Sequence, residues 1–241
     1  MTEPSPAGTA PAGGWRTAVV REVAHPHPRG VRLRLEVPDR VDHLPGQHYV
    51  VRLTAPDGYT AQRSYSLSSD PGDPLIELYV ERLDDGEVST YLADEVGVGD
   101  ALDVRGPIGG WFVWRGETPA LGIGGGTGVV PLVAMLRHAR AVGRSDRLRL
   151  VAAARTWDDL PYGDELRDAG AVLALSREVG RDGRTAGRLR PDEVAPLVEG
   201  RDAGWTAFVC GSAGFAESAS ALLLGLGVDA GDVRVERFGP S

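Results

Sequence analysis

The first hundred residues alternate between apolar and charged positions with the two-residue period of β-strands. The alternation is strict over Val31–Val37 and recurs over Ile76–Glu81. Six short strands at this spacing, separated by Pro, Gly and Asp, predict a β-sandwich or barrel, and Ser89–Glu95 could form one short helix. The other β-prone runs are Trp15–Val23, His48–Leu53, Arg63–Ser68 and Ala101–Val104.

The pattern changes near Glu117. A short buried strand over Ala120–Ile123 leads into a glycine cluster and then into a helix over Val129–Val142. Alternating strands and helices predict a mostly parallel α/β sheet. We therefore expect a domain over 15–115, a second domain over 116–241, and a disordered Pro/Ala/Gly/Thr-rich tail over 1–14. The further predicted strands are Leu148–Ala154, Ala171–Ser176 and Ala207–Val209.

Composition narrows the class of protein. With 42% hydrophobic and 25% charged residues, the chain can bury a globular core. Its net charge of −8 argues against nucleic-acid binding. Cys210 is the single cysteine, so the chain holds neither an internal disulfide nor an iron–sulfur cluster. The histidines lack metal-ligand spacing, so no metal site is expected. Without a signal peptide or a run of about 20 apolar residues, we expect no membrane contact and a cytoplasmic location.

The glycine cluster comprises Gly124, Gly125, Gly126, Thr127 and Gly128, between a predicted strand and a predicted helix. Glycines there allow a tight turn, and the free N–H groups of the helix start can bind a pyrophosphate. A plain glycine-rich turn is the alternative. Because the spacing is not G-x-G-x-x-G followed by an acidic residue, a standard Rossmann dehydrogenase is not the best match.

Arg63, Ser64, Tyr65 and Ser66 lie on a predicted strand of the first half. Arginine can clamp a phosphate with two hydrogen bonds, tyrosine can stack on a flat ring, and serine can bond to a ring edge. Taken alone, the run is more typical of an ordinary strand with a surface arginine.

Five motifs in order resemble the ferredoxin–NADP reductase superfamily: Arg63–Ser66, Gly86–Ser89, Gly106–Phe112, Gly124–Leu132 and Cys210–Ser212. The resemblance covers about residues 15–241. It implies two domains, an N-terminal antiparallel Greek-key β-barrel that binds flavin and a C-terminal parallel α/β sheet that binds NAD(P). The implied cofactors are FAD and NADP, with NAD also compatible.

The same resemblance implies roles for residues of the first domain. Arg63 and Ser64 would lie at the flavin phosphates, Tyr65 against the isoalloxazine, and Ser66 near its N5. Gly86, Val88 and Ser89 would form a second phosphate-binding segment at the start of a short helix. The alternative, a turn followed by a serine N-cap, would have the same structure without a bound phosphate.

In the second domain the resemblance places Cys210 and Gly211 beside the nicotinamide, in a positioning role. Ser212 stands where the family more often has proline, which we expect to leave this loop freer. Near the C-terminus, Glu236 and Phe238 resemble the family's Glu and its flavin-covering aromatic, although three residues follow Phe238. The alternative is a last strand with one buried phenylalanine.

Ser176 and Arg177 resemble the segment that contacts the NADP 2′-phosphate, and Arg155 could assist. Because a phosphate dianion favours arginine, this favours NADP over NAD; solvated surface arginines are the alternative.

The resemblance thus predicts an NAD(P)H-dependent flavoprotein reductase that passes electrons to a partner redox protein, such as a ferredoxin or an oxygenase component. A flavin or quinone reductase with small acceptors, and a non-catalytic electron-transfer subunit, remain as alternatives. No basic docking surface is obvious, although five arginines cluster in sequence at 137, 140, 144, 147 and 149.

Overall fold

The computed structural model describes residues 14–201 and 204–239. The predicted disordered tail, apart from Gly14, lies outside the described residues. The N-terminal part forms one antiparallel sheet of six strands; burial alternates as predicted over Val31–Glu36, whereas Ile76–Val80 is buried throughout. The six strands are β1 (Trp15–His27), β2 (Gly30–Glu36), β3 (His48–Thr54), β4 (Thr60–Ser66), β5 (Ile76–Glu81) and β6 (Ala101–Ile108).

The strands run in the order β4-β3-β6-β1-β2-β5, a Greek-key arrangement. An antiparallel bridge between Leu67 and Leu78 brings the end of β4 onto β5 and closes the sheet into a barrel. Val31, Leu33 and Leu35 fill its interior, whereas the charged residues between them face outward. Helix α1 (Glu87–Asp94) covers the barrel with Val88 and Leu92. The periodicity of the sequence was compatible with either a sandwich or a barrel, and the structure is a barrel.

The C-terminal part is a parallel sheet with helices on both faces. Its strands are β7 (Ala120–Gly125), β8 (Leu148–Ala154), β9 (Val172–Leu175), β10 (Thr206–Ser212) and β11 (Val233–Phe238). Its helices are α2 (Val130–Ala141), α3 (Gly163–Asp168), α4 (Pro191–Val198) and α5 (Ala213–Gly225), with short 3₁₀ turns at 126–129, 145–147, 157–159 and 230–232. The order β11-β10-β7-β8-β9 confirms the predicted parallel α/β fold.

Strand order determines where a ligand can bind. The chain leaves β7 toward β8 on one side and returns to β10 on the other, so the topology reverses between β7 and β10. Ligands of such sheets bind outside the carboxyl ends of the strands at this point. Burial on both faces explains the near-continuous apolar runs of β7 and β8.

The two sheets meet along a packed interface. The segment after β6 contributes Phe112 and Trp114 to the core beneath α2, and the Trp114 amide donates to the Pro45 carbonyl of the barrel at 3.2 Å. A cluster of polar side chains adds further contacts between the two sheets. In the described part of the chain, every helix is too short or too polar to cross a bilayer.

Candidate functional site

The glycine loop lies at the switch point of the parallel sheet. It links β7 to α2 through a 3₁₀ turn over Gly126–Val129. A Cβ atom on Gly128 would stand 2.2 Å from the carbonyl oxygen of Cys210, so only glycine lets this loop lie against β10. Gly126 has φ +56° and open space on its free side. The loop therefore presents its backbone to the space outside the strand ends.

A cavity of about 850 Å³ opens in front of this loop. Backbone and side chains from the carboxyl ends of β7, β8, β9, β10 and β11 form its walls, together with the start of α5. Glu81, the last residue of β5, lines it from the barrel. The cavity therefore spans both sheets. Its polar lining includes Gly126, Thr127, Arg155, Ser176, Arg188 and Ser212.

These residues fit a dinucleotide. Backbone amides at a helix start and two arginines suit phosphate groups, and Phe215 and Phe238 supply flat apolar contact in the same cavity. Phe215 lies directly beneath the loop, since a Cβ on Gly125 would stand 2.6 Å from its ring.

The predicted flavin strand is β4, next to β3 at one end of the sheet order. The Arg63 side chain is exposed and donates only to the neighbouring Gln62 carbonyl, at 2.7 Å, among the contacts described. It is thus available to an anion. Tyr65 packs against the barrel core, and burial raises the pKa of its phenol, which stays protonated. Ser64 is exposed and Ser66 is half-buried.

The four residues of β4 do not line the cavity itself. The chain continues from them into the contact between the domains, because Ser68 follows Ser66 by two residues and contacts the other domain. The Ser68 carbonyl accepts from Arg137 at 3.1 Å, and its hydroxyl lies 2.8 Å from that of Tyr162. The end of β4 is therefore fixed against helix α2, which begins at the glycine loop.

The start of α1 fits an anion through its backbone. Gly86 occupies the N-cap position and provides no side-chain cap, so the first amides of the helix lack a protein side-chain partner there. The Ser89 hydroxyl is turned inward, donating to the Gly86 carbonyl at 3.1 Å and accepting from the Leu83 amide at 3.2 Å. Val88 is fully buried in the barrel core. Ser89 and Val88 thus shape the turn, while the exposed carboxylate of Glu87 lies in the first turn of the helix and accepts from the Tyr59 hydroxyl at 3.2 Å.

Cys210 and Glu236 are register partners on β10 and β11. Paired residues of parallel strands share a face, and Cys210 packs in the core below α2. Burial, and secondly the Glu236 carboxylate, raise the pKa of the Cys210 thiol. It remains a neutral thiol at physiological pH, which suits positioning and not nucleophilic attack. Burial also raises the pKa of Glu236 to about 7.

Phe238 is the last residue of β11, lines the cavity and is 40% exposed. The alternative of a buried phenylalanine in a last strand is therefore wrong. Ser212 does not leave its loop freer as we expected. It forms the N-cap of α5 and accepts from the Phe215 amide at 3.4 Å.

Only some of the residues predicted to contact the 2′-phosphate line the cavity. Ser176 and Arg155 line the cavity, whereas Arg177 is exposed and does not. Arg155 is also held by Asp159 at 3.3 Å. Sequence reasoning missed Arg188, which lines the cavity and whose described hydrogen bond is made by its backbone carbonyl, accepting from Arg184 at 2.8 Å. It lies in an irregular segment, where no periodicity indicated which arginine faces inward.

Of the arginines clustered at 137, 140, 144, 147 and 149, Arg137 and Arg140 pair with Glu165. Arg147 and Arg149 donate to the neutral backbone carbonyls of Glu117 and Leu197 and so keep their positive charges, and Arg144 and Arg149 are exposed. The ion pairs with Glu165 therefore reduce the basic cluster without removing it.

Comparison with known proteins agrees with this arrangement. Residues 19–113 match the oxidoreductase FAD-binding domain family, and residues 123–221 match the oxidoreductase NAD-binding domain family. The chain is 32% identical over 217 residues to the ferredoxin–NAD(P)(+) reductase component of the naphthalene 1,2-dioxygenase/salicylate 5-hydroxylase systems of Ralstonia sp, covering 87% of this chain and 65% of that one. It is 31% identical over 255 residues to a flavohemoprotein of Rhizobium meliloti, covering 94% and 61%.

Among solved structures, the FAD/NAD-binding domain of nitric oxide dioxygenase from Vibrio cholerae superimposes with a TM-score of 0.79 at 26% identity, covering 93% of this chain and 99% of that one. The chain belongs to the ferredoxin–NADP reductase-like superfamily of FAD- and NAD-binding oxidoreductases. It spans less than two thirds of the length of the curated relatives described above.

The contact between Gly128 and Cys210 gives a first prediction. In the Gly128→Ala variant, the added methyl meets rigid backbone, so the glycine loop must move away from β10. We expect NADP⁺ affinity, measured by calorimetry, to fall about tenfold or more, and the free energy of unfolding to fall by about 1–3 kcal/mol. Gly187→Ala, where a Cβ meets open space, is the matched control. Equal affinities in the two variants would contradict the role given to the loop.

The raised pKa of Glu236 gives a second prediction. Because its folded-state pKa lies above the unfolded value, ionisation between about pH 4.5 and 7 lowers stability, and the penalty is complete above about pH 7. The gain in unfolding free energy from Glu236→Gln should therefore be larger at pH 8 than at pH 5. Since the side chain is partly open to water, we expect a difference of about 1–2 kcal/mol. Denaturant titrations at both pH values measure it, and a pH-independent difference would refute the shift.

Proposed function

We propose that this protein transfers a hydride from NAD(P)H to bound FAD and passes the electrons to a partner redox protein, such as a ferredoxin or an oxygenase component. The observation that carries the proposal is the cavity in front of the glycine loop, which reaches from the parallel sheet to Glu81 of the barrel. FAD, when bound, accepts a hydride and can release its electrons one at a time. The chain would supply binding, orientation and exclusion of water.

In the barrel, Arg63 would bind the flavin pyrophosphate, with Ser64 beside it. Its exposed and weakly engaged guanidinium supports this. Tyr65 would contact the isoalloxazine and Ser66 would lie near its N5. The backbone amides at the start of α1, after Gly86, would complete the phosphate contacts, with Val88 and Ser89 holding that turn in place.

In the parallel sheet, the loop over Gly124–Gly128 would bind the nucleotide pyrophosphate through its amides. Cys210 and Gly211 would lie beside the nicotinamide, with the neutral thiol acting by its shape. Glu236 would sit near the reacting ring, and Phe238 at the cavity would cover the flavin face until the nicotinamide arrives. We place the domains at 15–115 and 116–241 accordingly.

We favour NADP as the coenzyme. Ser176, Arg155 and Arg188 converge on the cavity from the ends of β8 and β9 and the segment after them. Arg188 is exposed and lines the cavity, so its guanidinium can reach a phosphate dianion there. Arg177, the other arginine suggested by the sequence, would contribute at most from the edge. NAD remains compatible with the rest of the cavity.

The acceptor is proposed from the relatives. The Ralstonia relative is named as the reductase component of an oxygenase system, which supports a protein acceptor. The given residues hold a single cysteine, too few for an iron–sulfur cluster, and a cytoplasmic location stays a prediction. Comparing ferricyanide and cytochrome c reduction with and without an added ferredoxin separates a protein acceptor from a small flavin or quinone.

An anaerobic titration with NADPH and with NADH tests the proposed reaction. We expect the purified holoprotein to lose its flavin absorbance with about one equivalent of NADPH. A colourless protein, or a yellow one that neither nucleotide bleaches, would instead support a non-catalytic electron-transfer subunit.

Arg188 gives a separate prediction on the coenzyme. Arg188→Ala should raise KM for NADPH about tenfold, because a charge-assisted phosphate contact is lost, and should leave KM for NADH nearly unchanged. Arg177→Ala is the control, since this exposed arginine lies outside the cavity. If Arg188→Ala changes the KM for NADPH and the KM for NADH equally, Arg188 does not determine a preference for NADP.

A further inference from the structure

A buried carboxylate of the barrel takes hydrogen bonds from the other domain. Glu77 lies on β5 and its side chain is only 7% exposed. Its Oε1 accepts from Arg137 of α2 at 2.7 Å and from the Ser68 hydroxyl at 2.9 Å, and lies 2.9 Å from the Tyr162 hydroxyl. Burial by itself raises the pKa of Glu77, but Arg137 and the hydroxyls outweigh it and hold the pKa below its usual value. The group is therefore a stable anion.

Arg137 joins three elements with one guanidinium. Besides Glu77, its Nη1 donates to the Ser68 carbonyl at 3.1 Å. Its Nε and Nη2 bind both oxygens of Glu165 on α3, at 3.1 and 2.9 Å. Such a bidentate pair fixes the plane of the guanidinium as well as its position. The barrel, α2 and α3 are thus held in one geometry.

Tyr162 is the second residue of the parallel-sheet domain that contacts the barrel. Its backbone has φ +57°, which is uncommon outside glycine and persists where surrounding contacts hold it. Its ring lies 5.7 Å from that of Tyr79 on β5 and under the guanidinium of Arg137, at 5.1 Å. His138, next to Arg137 on α2, adds a contact to Asp70 of the barrel at 3.3 Å.

This cluster adjoins the proposed site on each side. Glu81 lies four residues beyond Glu77 on β5, and Asp159 precedes Tyr162 by three residues; both line the cavity. Ser68 follows the proposed flavin strand directly, and α2 begins at the glycine loop. Any rotation of one sheet against the other must break the contacts of Glu77.

We propose that Glu77, Arg137 and Tyr162 form an interdomain clasp that positions the two cofactors, setting the rate of hydride transfer without touching either of them. The clasp rests on the proposed function. Hydride transfer needs the reacting atoms within about 3–3.5 Å, and a displacement of about 1 Å can cost roughly a hundredfold in rate. In this proposal each domain binds its own nucleotide, and the distance between the two bound nucleotides depends on the contact between the sheets.

Glu77→Gln and Tyr162→Phe test the clasp with minimal change in shape. Stopped-flow reduction at saturating NADPH should slow by about 10- to 100-fold in each, while FAD content and NADP⁺ affinity change less than about threefold. Asp103→Asn is the matched control, because it removes a carboxylate that pairs with Arg52 within the barrel, at 2.9 Å. We expect the control to keep the parent rate.

Glu77→Gln/Tyr162→Phe should lose little more than either single variant, because the groups act as one unit. Variants that melt earlier but reach the parent rate at saturation would show a merely structural role and overturn the proposal. A parent protein that NADPH does not reduce would instead refute the proposed function.

A distance measurement tests the clasp independently of catalysis. Val98 and Leu224 are exposed, one on each domain, and Cys210 is buried, so Val98→Cys and Leu224→Cys can carry spin labels selectively. We expect one narrow distance distribution in the labelled parent and in the Asp103→Asn background, and a broadened one with Glu77→Gln. Equally narrow distributions in all three would overturn the clasp.

Discussion

The carboxylate of Glu77 is where the two halves of the molecule are joined most tightly. It lies nearly free of water on a barrel strand, and its partners Arg137 and Tyr162 belong to the parallel sheet domain. A buried carboxylate is stable only when its oxygens are bonded and its charge is matched. The buried charge on the barrel therefore needs its partners from the parallel-sheet domain. These contacts give the space between the sheets a defined shape.

Within that space the backbone does most of the binding, in our proposal. The glycine loop approaches β10 so closely that the Cys210 carbonyl excludes any side chain at 128. Gly86 likewise leaves the start of α1 without a side-chain cap. Although the chain carries a net charge of −8, Arg63, Arg155 and Arg188 stand where anionic groups of the two nucleotides are proposed. The cavity is also lined by Glu81, Asp159 and Glu217, so these arginines are individual phosphate contacts in the proposal and the cavity as a whole is not positively charged.

The fold was largely predictable because burial follows simple periods. Alternation in Val31–Val37 reflects one face turned to the barrel core, and the apolar run of Leu148–Ala154 reflects a strand covered on both faces. The end of β10 was missed, since Cys210–Ser212 lacks bulky apolar residues; Cys210 pairs with both β7 and β11, whereas Gly211 and Ser212 pair with β11. Periodicity did not distinguish a sandwich from a barrel, because the closing bridge from Leu67 to Leu78 depends on the whole sheet; the family resemblance implied the barrel, and the structure confirms it.

The candidate site was predictable where its residues are neighbours in sequence, as in the glycine loop and the flavin strand. Arg188 and Arg177 look alike in sequence, and only the path of the irregular segment turns Arg188 into the cavity. The three residues of the clasp come from three separate places in the chain, and no local pattern connects Glu77 with Arg137 or Tyr162.

A crystal structure of the protein with FAD and NADP⁺ tests the central claim most directly. The account predicts the flavin pyrophosphate on Arg63, the nucleotide pyrophosphate on the amides of Gly126–Gly128, and both ligands in one continuous cleft bounded by the contacts of Glu77. Finding the two ligands on separate surfaces, or the nucleotide away from the glycine loop, would contradict it.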